Sequence, residues 1–290
     1  MNPSGRPGRV LVSDVDGTLC FHEEIHGMRA VPGAGTDGNP TESFLVEETA
    51  TGRKFAARDV STSSYRIYVA EETLHLMREL RRFFTIVLIT GGRPSTMRKR
   101  RPILDFADAV ILENGGLIYD ARYEPDPGWW AHLEPERRHL AEAARQIEAA
   151  GWRLDAEGRT SALRVRLRDN PQRSSEEFST LCRTLDLPPA LAKTKNLDNL
   201  DIILAKAGKA NALRYWLDAA GYGPQDAVGI GDDVNDIDFL EFLGQRHVLG
   251  SAYPETLDVA RARGWSIAPE GGISGINGIL RCLLPGPAAT

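Results

Sequence analysis

Two aspartates two residues apart, Asp14 and Asp16, follow the apolar run Val10–Val12 and precede Gly17. Residues two apart in an extended segment face one side, so both carboxylates leave the end of a buried strand together. Burial makes such a pair costly unless something cationic neutralises it. A second acidic group, Asp232, Asp233 and Asp236, follows another apolar run, Ala227–Ile230. If the two strands are neighbours, four or five carboxylates meet. A hard divalent cation, Mg²⁺ before Ca²⁺, resolves that repulsion with oxygen ligands. Thr90-Gly91-Gly92 closes a third run, Ile86–Ile89, and offers an anion a hydroxyl and unhindered backbone N–H groups. Lys209 opens a helical pattern directly after Gly208, where the helix dipole disfavours a cation. A ligand-directed role is therefore expected of it, with Lys206 as the competing cation.

The elements that must hold these residues alternate. Short buried runs at Val10–Val12, Ile86–Ile89, Ala109–Leu112 and Ala227–Ile230 read as strands. Helical patterns lie between them: Leu76, Met77, Leu80, Phe83 and Phe84 form one apolar face, and Leu213, Trp216, Leu217 and Ala220 another, with Gly221 as its C-cap. Alternation of this kind implies an α/β fold with a parallel, Rossmann-like sheet. Ligands bind such sheets beyond the carboxyl ends of the strands, where the candidate residues fall.

Two segments interrupt the alternation. Residues 21–66 are long for a connection between a strand and its helix; Phe44–Glu48 and Arg53–Ala57 read as a hairpin within them. Residues 123–197 read as a small α+β domain, entered at the proline-bearing stretch Pro125–Pro127. Its expected parts are a helix near Glu134–Ala150, strands at Trp152–Asp155 and Ala162–Arg168, a helix at Ser174–Leu185, and strands near Ala190–Lys195 and Leu200–Leu204. The expected organisation is a core of residues 9–122 and 198–284, a long flap insert, a cap at 123–197, and tails at 1–8 and 285–290.

Taken in order, Asp14-Val15-Asp16-Gly17-Thr18-Leu19, Thr90-Gly91, Lys209 and Gly231-Asp232-Asp233-Val234-Asn235-Asp236 resemble the four motifs of the haloacid-dehalogenase-like superfamily. The turn Glu113-Asn114-Gly115-Gly116 and the insert after it resemble the branch whose cap follows the third strand, and the compact cap resembles those of sugar phosphatases. The resemblance implies a Mg²⁺-dependent phosphatase. Asp14 would be the nucleophile and Asp16 the general acid and base. Asp14, the Asp16 carbonyl and Asp232 would hold the metal, assisted by Asp233 or Asp236. Thr90, Gly91, Lys209 and Asn235 would hold phosphate. A phosphomutase of the same fold and a non-catalytic phospho-ligand module are the alternatives.

Composition narrows the partners. The net charge of −5 gives no basic track for nucleic acid. The longest apolar runs are strand-length, below the roughly 18 residues of a membrane span. Three scattered cysteines, Cys20, Cys182 and Cys282, have no metal-type spacing and fit a reduced, cytoplasmic enzyme. A small phosphorylated metabolite, a sugar phosphate first, is the expected substrate. On the cap, Arg164, Arg166 and Arg168 alternate along one strand face; Arg164, Arg166 and Lys195 are the candidate substrate contacts. Arg98-Lys99-Arg100-Arg101 reads as a solvated face, and Trp129-Trp130 as packing. Starting beside Asp14–Leu19, the flap insert is expected to act as a lid.

Overall fold

The computed structural model describes residues 7–31, 43–62, 65–196 and 199–285. The chain divides into two compact units. One comprises Met1–Leu88, Thr96–Asp108 and Leu217–Thr290; the other comprises Ile89–Ser95 and Ala109–Trp216.

In the first unit the strands run, in spatial order, Ser266–Ile267, Gln245–Val248, Ala227–Gly231, Val10–Ser13 and Thr85–Ile89, all paired in parallel. Every residue of Val10–Ser13, Thr85–Ile89 and Ala227–Gly231 is buried, as expected of strands covered on both faces. Register decides the chemistry: Ser13 lies beside Ile230, and the Asp14 N–H donates to the Ile230 carbonyl at 3.0 Å. The two acidic segments thus leave the sheet at one edge as neighbours.

The helix after the insert is Glu71–Leu80, burying Leu74, Leu76, Met77 and Leu80. It stops there. Phe83, expected on the same apolar face, lies in the turn that leads to Thr85–Ile89 and is exposed. The expected hairpin forms, Phe44–Glu48 against Arg53–Asp59, within a five-stranded antiparallel sheet that also holds Phe21–His22, Ile67–Ala70 and Met28–Ala30.

This sheet is fastened to the C-terminal helix at the hairpin tip. Glu48, at the hairpin tip, is 2% exposed. Its carboxylate accepts from the Thr51 hydroxyl and the Ser274 hydroxyl, each at 2.7 Å, and from the Ser274 N–H at 3.4 Å. Ser274 sits in the first turn of the C-terminal helix Gly272–Leu283, where an anion also meets the positive end of the helix dipole. A segment held this way is part of the fold. Glu48→Ala leaves the buried Ser274 hydroxyl and N–H without their acceptor, so a loss of about 1–3 kcal/mol is expected. A urea-denaturation midpoint indistinguishable from wild type would refute this anchoring.

The second unit holds the antiparallel pair Ala109–Leu112 and Leu117–Asp120 and a three-stranded antiparallel sheet ordered Ala162–Arg166, Asn199–Leu204, Leu191–Asn196. Helices Pro127–Leu133, Arg138–Ala149 and Ser175–Thr184 accompany them. Pro125–Pro127 leads into a helix absent from the sequence reading: Asp126 caps it by accepting from the Trp129 N–H at 2.8 Å, and Pro127 takes its first position. Ser174 and Glu177 form a reciprocal capping box. Trp152–Asp155 is not a strand; Leu154 makes only an isolated bridge to Val165. Strand Ala162–Arg166 ends before Arg168, which lies in the 3₁₀ turn Leu167–Asp169, so the basic face stops at Arg166.

Candidate active site

In the first unit the strand edge gathers carboxylates. Asp14 and Asp232 are each 4% exposed, and Asp236 is fully buried. One ligand oxygen from each of these three lies within 4.8 Å of the others. Their loops are built to allow it. Gly17, at φ +97°, passes so close that a Cβ there would lie 2.4 Å from an Asp232 carboxylate oxygen, so both conformation and space demand glycine. The Thr18 hydroxyl donates to Asp232 Oδ1 at 2.5 Å. Asp236 accepts the Asp232 and Asp233 N–H groups at 3.0 Å each through Oδ2, folding the turn under its own carboxylate. Asp233 instead accepts from the Val234 N–H at 2.6 Å. Asp236 therefore joins the cluster, and Asp233 caps its own turn. Asn235 is half-buried in the same 3₁₀ turn, Val234–Asp236.

Three buried carboxylates with converging oxygens, and no thiolate or imidazole among them, form a donor set suited to a small hard cation. A Mg²⁺ ion fits this chemistry.

Asp16 stands apart. Both Nε and Nη2 of Arg100 donate to its Oδ1, at 3.2 and 2.8 Å, and His22 Nε2 lies 3.9 Å from the same oxygen. Burial pushes the carboxyl pKa up, but the Arg100 charge and hydrogen bonds, with His22 and His26, hold it below the usual carboxylate value. Arg100 was misread as surface. Its side chain is 1% exposed, at the break between the helices Pro94–Lys99 and Arg101–Leu104, while neighbouring Arg101 is well exposed. Within a run of four basic residues no sequence signal singles it out.

In the second unit the Thr90 loop is tied to the strand Ala109–Leu112. The Thr90 N–H donates to the Ile111 carbonyl at 2.9 Å, the Asn114 N–H to the Thr90 carbonyl at 3.1 Å, and the Glu113 N–H to the Gly92 carbonyl at 3.0 Å. Thr90 is buried, and its hydroxyl accepts from the Gly92 N–H at 3.0 Å. The turn Glu113–Gly115 has positive φ at Glu113, Asn114 and Gly115, an uncommon conformation for the first two. Contacts maintain it: buried Glu113 accepts from the Ser161 N–H at 2.7 Å and its hydroxyl at 2.6 Å. A Cβ on Gly115 would strike the Gly208 carbonyl oxygen at 2.2 Å, so this turn packs directly on the residue preceding Lys209. Lys209 is buried at the start of the helix Lys209–Ala220. Lys206, the competitor, is half-exposed and paired with Glu136 at 2.8 Å.

The cap arginines divide. Arg164 meets Asp201 through two hydrogen bonds, at 2.5 and 2.6 Å, and a Cβ on Gly91 would lie 3.4 Å from its Nη2. Asn114 donates to Asp201 at 2.9 Å, and Arg159 Nη1 to the Gly91 carbonyl at 3.3 Å. Arg159 was not a sequence candidate, and Asn114 was read only as part of the strand-end turn Glu113-Asn114-Gly115-Gly116. Burial and the neighbouring Arg164 charge push the Arg159 pKa down to about 10, so it stays cationic at neutral pH. Arg166 turns elsewhere, to Asp169 at 2.6 Å and Asp155 at 3.5 Å. Arg93 also reaches Asp155, at 2.9 Å. The Lys195 backbone lies in strand Leu191–Asn196, and its side chain falls outside the described residues. Trp129 is buried and donates to the Gly115 carbonyl at 2.9 Å, a packing role as expected.

Residues 69–265 match the sucrose-6F-phosphate phosphohydrolase family. The chain belongs to that family. It is accordingly a phosphohydrolase of the haloacid-dehalogenase-like superfamily, as the motif order implied. Among solved structures it is similar to the sucrose-phosphatase from Synechocystis sp. PCC6803, determined in complex with sucrose and phosphate. There the identity is 17%, the coverage 96% of this chain and 98% of that one, and the TM-score 0.62. It is also similar to a phosphatase of that superfamily from Bacteroides thetaiotaomicron, at 16% identity, 98% and 97% coverage and a TM-score of 0.56. At these identities the likeness is one of fold, an α/β core with separate antiparallel sheets. An uncharacterized protein from Geobacillus stearothermophilus, encoded in a pdhA 5′ region, is 33% identical over 60 residues, a match covering 21% of this chain and 63% of that protein. Among the described residues no helix is long and apolar enough to cross a membrane.

Proposed function

We propose that the protein is a Mg²⁺-dependent phosphomonoesterase that forms an aspartyl-phosphate on Asp14 and acts on a small sugar phosphate. The carboxylate cluster of Asp14, Asp232 and Asp236, in a chain of this family, carries the reading. The bound phosphate dianion raises the Asp16 pKa against the pull of Arg100, so that Asp16 is protonated in the substrate complex. Asp14 attacks phosphorus, the Asp14–phosphorus bond forms as the ester bond breaks, and Asp16 gives that proton to the leaving alkoxide. Water then attacks the phosphoenzyme, Asp16 takes a proton from it, and inorganic phosphate leaves with Asp14 regenerated. Asp14, Asp232 and the Asp16 carbonyl would hold Mg²⁺, with Asp236 in support. The ion would supply positive charge that lets an anionic nucleophile approach an anionic phosphate. Thr90, the Gly91 N–H, Lys209 and Asn235 are assigned to the phosphoryl oxygens, where transition-state charge needs fixed donors. Residues 123–197 are assigned as the cap.

Sugar recognition needs many fixed hydrogen-bonding partners, each worth about 1–3 kcal/mol in a closed site. Arg164, held flat by Asp201 beside Gly91, and Asn114 are the residues assigned to it. The test is phosphate release with Mg²⁺ from phosphorylated mono- and disaccharides, a nucleoside monophosphate and a phosphopeptide. A sugar phosphate should lead in kcat/KM. Tenfold preference for the nucleotide or phosphopeptide, about 1.4 kcal/mol in transition-state terms, would overturn the substrate class.

A further inference from the structure

We infer that Arg100 is a positioning residue that fixes the Asp16 carboxylate for proton transfer, anchored on the flap insert through the Val60 carbonyl. This rests on Asp16 being the general acid and base.

Three observations carry it. Arg100 is buried in a place that calls for no cation unless it has a partner, and its side chain is 1% exposed. The two donors that meet Asp16 converge on a single oxygen, Oδ1, at 3.2 and 2.8 Å. Two hydrogen bonds from one rigid guanidinium plane pin that oxygen in place more firmly than a single donor does. The remaining nitrogen, Nη1, donates to the Val60 carbonyl. Val60 directly follows the insert strand Arg53–Asp59, whose hairpin partner carries the anchored Glu48. The guanidinium thus has a fixed base at one end and the Asp16 carboxylate at the other. This gives the insert a purpose: it braces the group that moves the proton.

Proton donation matters most when the leaving group is a poor one. An alkoxide needs the proton as the ester bond breaks, whereas 4-nitrophenolate leaves without it. A misplaced Asp16 should therefore be felt unequally, and misplacement by about 1 Å costs on the order of 10²-fold.

The experiment measures first-turnover release of alcohol from β-glycerol phosphate and of phenol from 4-nitrophenyl phosphate, for wild type, R100A and R100K. For R100A the expected loss is about 30- to 100-fold with β-glycerol phosphate and under about threefold with 4-nitrophenyl phosphate, KM shifting less than about threefold. R100K, which keeps a cation but loses the fork, should fall between R100A and wild type. Equal losses on both substrates, or no loss on either, would overturn the proposal. If R100A does not fold, the same comparison on R100K and R100Q decides it. D16N separates the two readings. If D16N keeps full β-glycerol phosphate turnover, Asp16 is not the acid and the proposed function is at fault. If D16N loses it while the Arg100 variants do not, only the present inference fails.

Discussion

Asp14→Asn is expected to abolish steady-state phosphate release, by about 10⁴-fold or more, while leaving the protein folded. Loss of a nucleophile removes the chemical step itself rather than weakening it, and such losses are the largest single-residue effects in enzymes. The structure separates this chemistry from folding. The Asp14 backbone is held by its N–H to the Ile230 carbonyl and by the Ser13 hydroxyl to its own carbonyl, at 3.0 and 2.8 Å, neither of which uses the carboxylate. Asparagine has the same shape. It also removes one charge from a group of three buried carboxylates, so the thermal midpoint of the metal-free protein should hold or rise. Phosphate release by the pure variant above about a thousandth of wild type would remove Asp14 from the nucleophile position. A collapse of the thermal midpoint would show instead that the carboxylate is structural.

In each unit, the candidate residues that were legible in the sequence are those where local order fixes the side chain. Asp14, Asp232 and Asp236 lie just beyond buried strands whose apolar runs are unambiguous, and parallel pairing brings their ends together. The buried Lys209 was recognisable because it opposes the helix dipole directly after a glycine. The less legible residues depend on distant partners. Arg100 owes its burial to Asp16 and Val60, far away in the chain, and in sequence it is one of four consecutive basic residues. Arg159 and Asn114 are placed by the Gly91 carbonyl and by Asp201, contacts that no periodicity encodes. The choice between Asp233 and Asp236 was open in sequence because both lie within one turn; in the structure it is an Asp236 oxygen that lies within 4.8 Å of those of Asp14 and Asp232. The anchor of the insert was hidden for the same reason as Arg100: the hairpin pattern of Phe44–Glu48 and Arg53–Ala57 is local, but the Ser274 hydroxyl that pins Glu48 comes from near the C-terminus.

Chelation should abolish activity, and Mg²⁺ should restore it better than Ca²⁺. With ligand oxygens of Asp14, Asp232 and Asp236 within 4.8 Å of one another, each pair of charges repels by at least about 3 kcal/mol at an effective dielectric constant near 20. A divalent ion reverses that sign, so binding should stabilise the fold as well as permit turnover. At 100 times its dissociation constant the ion adds about 2.7 kcal/mol, which for a chain of this size means a rise of roughly 4–5 °C in thermal midpoint. This readout does not depend on substrate. Ca²⁺ should also stabilise, since it binds the same oxygens, but it takes more ligands at longer distances and would hold Asp14 away from the attacking position. Stabilisation by both ions with turnover from only one is therefore the expected pattern. Asp232→Asn, which removes a ligand without touching the nucleophile, should lose most of the Mg²⁺-dependent midpoint shift and the activity together. Full activity in thoroughly demetallated protein would end the metal reading, and a midpoint unmoved by millimolar Mg²⁺ in the wild type would show that the three carboxylates are neutralised by other means.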